Sequence, residues 1–294
     1  MTELALSAAP RARARLAGAT AAAAPVIAAA AFAVLFWRPA ATLARDWWSD
    51  PNAGHGLLLA PVAAWLAWRA GLVARPAPRQ GAGVALLAGA VGLRWLSGLA
   101  AELFTMRLSL LVALAALVVF VWGWRQVARW WLPFGLLVLC IPLPAVVMAS
   151  LALPLQFKAS ALGAAMLHWR NIPVELTGNV INLPGRSLFV TEACSGLRSL
   201  SALLAIALLA GGLWLRTATA RGVLLALALP VAVLLNGVRV FLTGFLVVFV
   251  DPRLGDGFMH LTEGWLIYLA ALAILGAIAA GLTRVERRFV PEAA

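Results

Sequence analysis

The sequence predicts an all-α polytopic membrane protein of about eight transmembrane helices, with a small extracytoplasmic loop platform that includes a β-hairpin. Three observations predict it. The 294 residues are 64% hydrophobic and only 12% charged, with a mean hydropathy of +0.96, whereas an ordinary soluble domain is about one quarter charged. Apolar runs recur that approach the roughly 20 residues a bilayer span needs. The basic residues fall in short clusters between those runs, the distribution that the positive-inside rule describes. A formal charge of +12 would suit nucleic acid in a soluble chain. Here its placement argues for the lipid bilayer as partner and against nucleic acid.

Taken in order, the spans are expected at about Ala21–Trp37, Gly56–Trp68, Gly81–Leu99, Leu108–Trp124, Trp131–Ser150, Gly196–Leu215, Val223–Val250 and Gly264–Leu282. The first follows the basic segment Arg11-Ala12-Arg13-Ala14-Arg15 and reads as a retained helix rather than a cleaved signal. Pro142 and Pro144 are expected to break or kink the outer half of the fifth. No repeat and no low-complexity linker divides the chain, so residues 1–294 read as a single integral-membrane domain. Its parts are a basic cytoplasmic N-terminus (1–20), a long extracytoplasmic loop (151–193) and a cytoplasmic tail (283–294).

Orientation follows from the basic residues. Arg11, Arg13, Arg15, Arg69, Arg75, Arg79, Arg125, Arg129, Arg216, Arg221, Arg284, Arg287 and Arg288, thirteen in all, lie on one side. Arg38, Arg45, Arg107, Lys158, Arg170, Arg186 and Arg253, seven in all, lie on the other, together with eight of the eleven carboxylates. Both termini are therefore expected in the cytoplasm.

The outer segment has two parts. Leu155 to Trp169 mixes large apolar side chains with Gln156, Lys158 and His168 and reads as an interfacial amphipathic helix. Ile172–Leu176 and Val180–Leu183, joined by Thr177-Gly178-Asn179, read as a hairpin. Pro184-Gly185 then turns the chain into an extended Ser187–Thr191.

That segment delivers the chain to Glu192-Ala193-Cys194-Ser195-Gly196-Leu197-Arg198, where a polar run turns into an apolar one. A cysteine at the first turn of such a helix meets unpaired N–H groups and the positive dipole end, which favour thiolate. Arg198, four residues on, shares its helix face and pushes the same way. The same pattern also suits a buried small residue beside a snorkelling arginine. Arg239 lies within the seventh span, three residues after Asn236, and an intramembrane arginine is a functional candidate by default. Its alternative is a structural pairing with a carbonyl or with Glu263. Arg94, nearer an outer span end, reads as snorkelling. His55 and His168 read as satisfied interfacial groups. His260, at the outer start of the eighth span, is expected on the same side as Cys194.

Cysteine, arginine and histidine at one outer pocket have a chemistry: a thiolate attacks a carbonyl carbon, a histidine carries the proton to the leaving amine, and a fixed cation stabilises the oxyanion. No metal site is expected, because the two cysteines stand on separate spans and the histidines show no ligand spacing. No cofactor is expected either. Cys140 lies deep in an apolar run, so no disulfide with Cys194 is expected.

At these residues the chain resembles the exosortase/archaeosortase family. The motifs are Glu192-Ala193-Cys194-Ser195-Gly196-Leu197-Arg198, Asn236-Gly237-Val238-Arg239-Val240, and His260 followed by Glu263-Gly264-Trp265. His55-Gly56-Leu57-Leu58 with Pro61 and Trp65 resembles the family's N-terminal pattern, and the whole likeness runs from about Asp50 to Tyr268. The resemblance implies that Cys194 is the nucleophile and that Arg239 and His260 are catalytic, with Arg198, Asn236, Glu192 and Glu263 in support. It implies a cysteine peptidase or transpeptidase of the inner membrane with its active site on the extracytoplasmic side. Its substrates would be membrane-anchored proteins with a C-terminal sorting signal: a Pro-Glu-Pro type motif, a hydrophobic helix and a basic tail. Two other classes fit the residues. One is a transporter or scaffold that binds an anion at its intramembrane arginines, although the inverted repeat expected of a transporter is absent. The other is a thiol-dependent membrane acyltransferase.

Overall fold

The computed structural model describes residues 3–50, 52–184, 186–190, 197–251 and 258–289, with side chains over 25–50, 52–184, 187–190, 200–251 and 266–289. The helices are α1 (Glu3–Ser49), α2 (Gly56–Ala70), α3 (Gln80–Leu99), α4 (Leu103–Val121), α5 (Trp124–Arg129), α6 (Trp131–Leu139), α7 (Ala145–Trp169), α8 (Leu197–Trp214), α9 (Ala218–Phe249) and α10 (Phe258–Phe289). Among the described residues, six stretches are long and apolar enough to cross a membrane: Pro25–Ser49 of α1, all of α3, α4, α7 and α9, and Leu266–Phe289 of α10. Gly56–Ala70 and Leu200–Trp214 are shorter apolar helices. The chain is a multi-pass, all-α membrane protein.

Seven of these eight stretches fall on expected spans, and the fifth expected span does not have its counterpart. The stretch Trp131–Ser150 does not form one helix. Residues 140–144 leave the helix between α6 and α7, because Pro142 and Pro144 have no N–H to continue the ladder. Pro144, at φ −56° and ψ 143°, stands at the N-cap of α7. From there α7 runs 25 residues to Trp169, absorbing the segment expected to be a separate interfacial helix from Leu155. Gln156, which reads as polar in the sequence, is 5% exposed on α7 and accepts a hydrogen bond from Asn179 Nδ2 at 3.3 Å.

The carbonyls released at the end of α6 find donors on other helices. His55 Nε2 donates to Leu139 O at 3.0 Å, and Trp47 Nε1 donates to Cys140 O at 2.8 Å. A backbone acceptor at membrane depth is costly unless it is paired, so the break in α6 is tied to the start of α2 and the end of α1.

The helices pack in overlapping groups. Phe36 of α1, Ala90 of α3 and Ala113 of α4 form one core. Leu59, Ala63 and Leu66 of α2, Leu132 and Leu136 of α6 and Ala205 of α8 form a second. Leu203 and Ala207 of α8, Leu224 and Ala228 of α9 and Ala271 and Leu275 of α10 form a third. In this way α8 belongs to two cores and joins the halves of the molecule. Glu286 on α10 is 6% exposed and accepts from Arg216 N at 3.0 Å and Thr217 N at 2.8 Å. It thereby satisfies amides ahead of α9 that no helix partner would reach.

The expected hairpin is present and carries a third strand. Strands β1 (Glu175–Thr177), β2 (Val180–Leu183) and β3 (Arg186–Phe189) make an antiparallel meander in the order β1-β2-β3. Thr177 pairs with Val180 and Ile181 with Leu188. The two-residue turn has Gly178 at φ +65°, a conformation glycine adopts without the Cβ clash. Ile181, Leu183 and Val190 pack against Ala159 and Leu167 of α7 and Val240 and Val247 of α9. The sheet therefore rests on α7 and on the C-terminal part of α9.

Candidate active site

Two glycine contacts place α9. A Cβ built on Gly163 of α7 would stand 2.5 Å from Val240 Cγ1, and one built on Gly237 of α9 would stand 2.7 Å from Leu162 Cβ. Small residues let membrane helices approach backbone to backbone, and these two leave α7 and α9 no room to separate by a methyl. Leu162 and Gly163 lie beside Gly237 and Val240, and Leu167 beside Gly244. The contacts ascend together, so the two helices run in the same direction here.

Asn236 and Arg239 stand at this level of α9. Asn236 is 4% exposed and Arg239 is half-buried. Both line a cavity of about 40 Å³ between α8, α9 and α10, whose other walls are Leu203, Ala232, Leu235, Ile267, Tyr268 and Ala271. That volume exceeds the roughly 10–15 Å³ a single water needs. The i, i+3 spacing puts the amide and the guanidinium on one face of α9. Thr243 Oγ1, one turn on, donates back to Arg239 O at 3.0 Å.

The other expected site residues are placed only in part. Cys194 and Glu192 lie outside the described residues. Arg198 is a position in the first turn of α8, His260 in the first turn of α10 and Glu263 in the turn after it, with side chains outside the described set. The structure brings together Asn236 and Arg239, and it packs the helix that begins three residues after Cys194 and the helix whose first turn includes His260 along the same α9. Among the described residues no group of three or more His, Cys, Asp or Glu gathers to hold a metal ion.

The family model described as transmembrane exosortase (Exosortase_EpsH) matches residues 47–277. The chain belongs to the transmembrane exosortase family. No curated protein and no solved structure matches it. Family membership gives this exosortase a membrane transpeptidase or protease type of role in general. The matched range runs from the end of α1 into α10 and includes the sheet, the break after α6 and the cavity beside Arg239.

Tyr268 is a cavity residue that the sequence reading passed over. It is the only tyrosine of the chain and shares the cavity with Asn236 and Arg239. The available signal was a single polar aromatic on the span that follows His260, where a phenol seeks a hydrogen-bond partner.

Proposed function

We propose that the exosortase is a cysteine transpeptidase or protease that cuts membrane-anchored proteins at a C-terminal sorting signal, with Cys194 as nucleophile. The thiolate Sγ attacks the scissile carbonyl carbon, and the carbonyl oxygen takes the negative charge. Arg239 holds that oxyanion with its planar donor fork. His260 donates a proton to the leaving amine as the C–N bond breaks. The thioester left on Cys194 is then opened by an amine or hydroxyl acceptor, giving transfer, or by water, giving hydrolysis; the thiolate is restored either way. Arg198 lowers the thiol pKa from the helix start, and Asn236 positions the guanidinium. Glu192 and Glu263 supply charge near the entering motif.

The observation that carries this reading is the packing of α8, α9 and α10 around the cavity lined by Asn236 and Arg239. Of those helices, α8 begins three residues after Cys194 in the sequence and α10 two residues before His260. The arginine asymmetry supports a frame in which both termini are cytoplasmic and the sheet and active site face the extracytoplasmic side of the inner membrane. A substrate helix in the bilayer then meets the thiol with its motif outside and its basic tail inside. The test is co-expression with a protein ending in a Pro-Glu-Pro motif, a hydrophobic helix and a basic tail, followed by mass spectrometry of its new C-terminus. Arg239→Ala abolishes processing and Arg239→Lys restores little of it, because an ammonium is a point charge without the fork. Full processing by Arg239→Ala at matched protein level refutes the assignment.

A further inference from the structure

A second cavity, of about 480 Å³, opens at the other end of the helix bundle. Its rim is the last turn of α2, the start of α6 and the end of α8, with Arg69, Arg129, Trp131 and Trp214 among its lining residues. The sheet, by contrast, rests on the C-terminal part of α9. The volume falls in the range of about 300–1,000 Å³ usual for ligand sites. We propose that this cavity binds the headgroup of an anionic phospholipid, with Arg69 and Arg129 taking the phosphate oxygens.

The rim is built before any ligand arrives. Gln126, buried at the centre of α5, accepts from Val73 N at 2.8 Å and donates through Nε2 to Gly71 O at 3.1 Å. That pair fastens the chain leaving α2 onto α5. Arg129 Nε donates to Ala70 O at 2.7 Å, which fixes the guanidinium and leaves its two terminal nitrogens for an anion. The Arg69 guanidinium lies 5.3 Å from the Trp65 ring centroid, a contact that holds it at the rim without using its hydrogen-bond donors. Behind them Arg221 sits 4.7 Å from the Trp131 ring centroid and is committed to Leu215 O by Nε and Nη2.

The choice of ligand follows from charge and from the walls. The lining contains two guanidinium groups and no carboxylate, so it attracts a phosphodiester and has no anion to pair with a choline or ethanolammonium group. Basic pockets between membrane helices take lipid headgroups by this arithmetic. The remaining walls are apolar, and Leu213 and Trp214 are about half exposed on the outside of α8. An acyl chain leaving the headgroup would pass along that exposed face, which a free phosphate ion would leave bare. Tryptophans at the rim suit the depth at which headgroups lie.

The purified full-length chain in detergent, titrated with phosphatidylglycerol, phosphatidylcholine or inorganic phosphate and read by native mass spectrometry, tests this. The expected result is one retained phosphatidylglycerol per chain, held about tenfold or more tighter than phosphatidylcholine. Arg69→Gln combined with Arg129→Gln removes the preference, and Leu213→Trp, which narrows the wall and changes no charge, weakens retention. Arg284→Gln with Arg287→Gln leaves retention unchanged. Equal retention of the two lipids by the unaltered chain, which needs no variant to fold, overturns the proposal. So does undiminished retention in the Arg69/Arg129 double variant, and displacement of the lipid by inorganic phosphate assigns the site to a free anion instead.

Discussion

Replacing Gly163 by alanine is expected to impair turnover more than folding. The added methyl would stand 2.5 Å from Val240 Cγ1, 2.8 Å from Val240 Cβ and 3.3 Å from Phe241 N. Non-bonded carbons settle at about 3.5–4.0 Å, so α7 and α9 must part by about 1 Å at this level. Overpacking of this kind costs about 1–3 kcal/mol, which a well-packed bundle survives. The residue before Val240 is Arg239, however, the proposed holder of the oxyanion, and moving such a group by about 1 Å would lower the rate by about 10²-fold. The assay pairs denaturant unfolding in detergent with the rate of substrate cleavage at saturating substrate. The expected outcome is a folded enzyme with turnover reduced by one to two orders of magnitude, about 10- to 100-fold. Adding Val240→Ala removes Cγ1 but leaves Cβ in place, so it restores part of the rate and not all. Unchanged turnover and unchanged stability in Gly163→Ala would show that this close approach does not position Arg239, and the reasoning from α7 to the site would fail.

Three further outcomes are expected. Arg107 on α4 is 3% exposed and donates to Asp46 Oδ2 of α1 at 2.6 Å; removing one partner of a buried pair costs about 3–5 kcal/mol. Asp46→Asn should fall below that range because Asp46 is 31% exposed, and Asp46→Leu with Arg107→Met should recover most of the loss in a double-mutant cycle of unfolding free energies. Glu102 caps α4: burial raises its carboxyl, but hydrogen bonds from Thr105 Oγ1 and the Thr105 and Phe104 amides outweigh this, and with nearby Arg107 they hold it below the usual carboxylate range. A depressed folded pKa contributes stability above the unfolded value that is lost as pH falls through the folded one, so Glu102→Ala should cost about 0.5–2 kcal/mol at neutral pH and progressively less in acid, as unfolding at a series of pH values will show. Cys140→Ala should leave turnover close to that of the unaltered chain, because Cys140 is 1% exposed against α2, α6 and α8 and no step of the reaction uses it; a dead Cys140→Ala at normal protein level would count against the choice of nucleophile.

Much of the fold was legible because bilayer length and helix period act on each segment separately. The runs that became α3, α4 and α9 needed no partner to be read. The hairpin was legible from Gly178, since a two-residue turn needs a residue that tolerates positive φ. The start of α7 was not. Gln156, Lys158 and His168 made Leu155–Trp169 look interfacial, but Gln156 is buried on α7 and its polarity is answered by Asn179, a residue of the hairpin turn. Only the tertiary contact explains the helix. His55 was read as a satisfied polar group, and its acceptor, Leu139 O, is exposed by a break 84 residues away. Within the site, Arg239 and Asn236 announced themselves as polar groups in an apolar run, whereas Tyr268 did not, because a phenol on a span reads as ordinary interfacial aromatic. The large cavity was also hidden: Arg69 and Arg129 looked like two entries in a charge count, and the hydrogen bonds of Gln126 that set their spacing join segments distant in sequence.

The central claim, a covalent reaction at Cys194, is tested most directly by looking for the bond it requires. Unaltered, Cys194→Ser and His260→Ala enzymes, at matched protein level, are mixed with a sorting-signal substrate, quenched in acid and digested, and the peptide containing Cys194 is weighed. The account predicts a substrate acyl group in thioester linkage on Cys194 in the unaltered enzyme and, forming more slowly, in His260→Ala. In Cys194→Ser it predicts uncut substrate and no acyl group on the corresponding peptide, because a hydroxyl so placed is far harder to deprotonate than a thiol. Normal cleavage by Cys194→Ser, or an acyl group found on another residue, contradicts it.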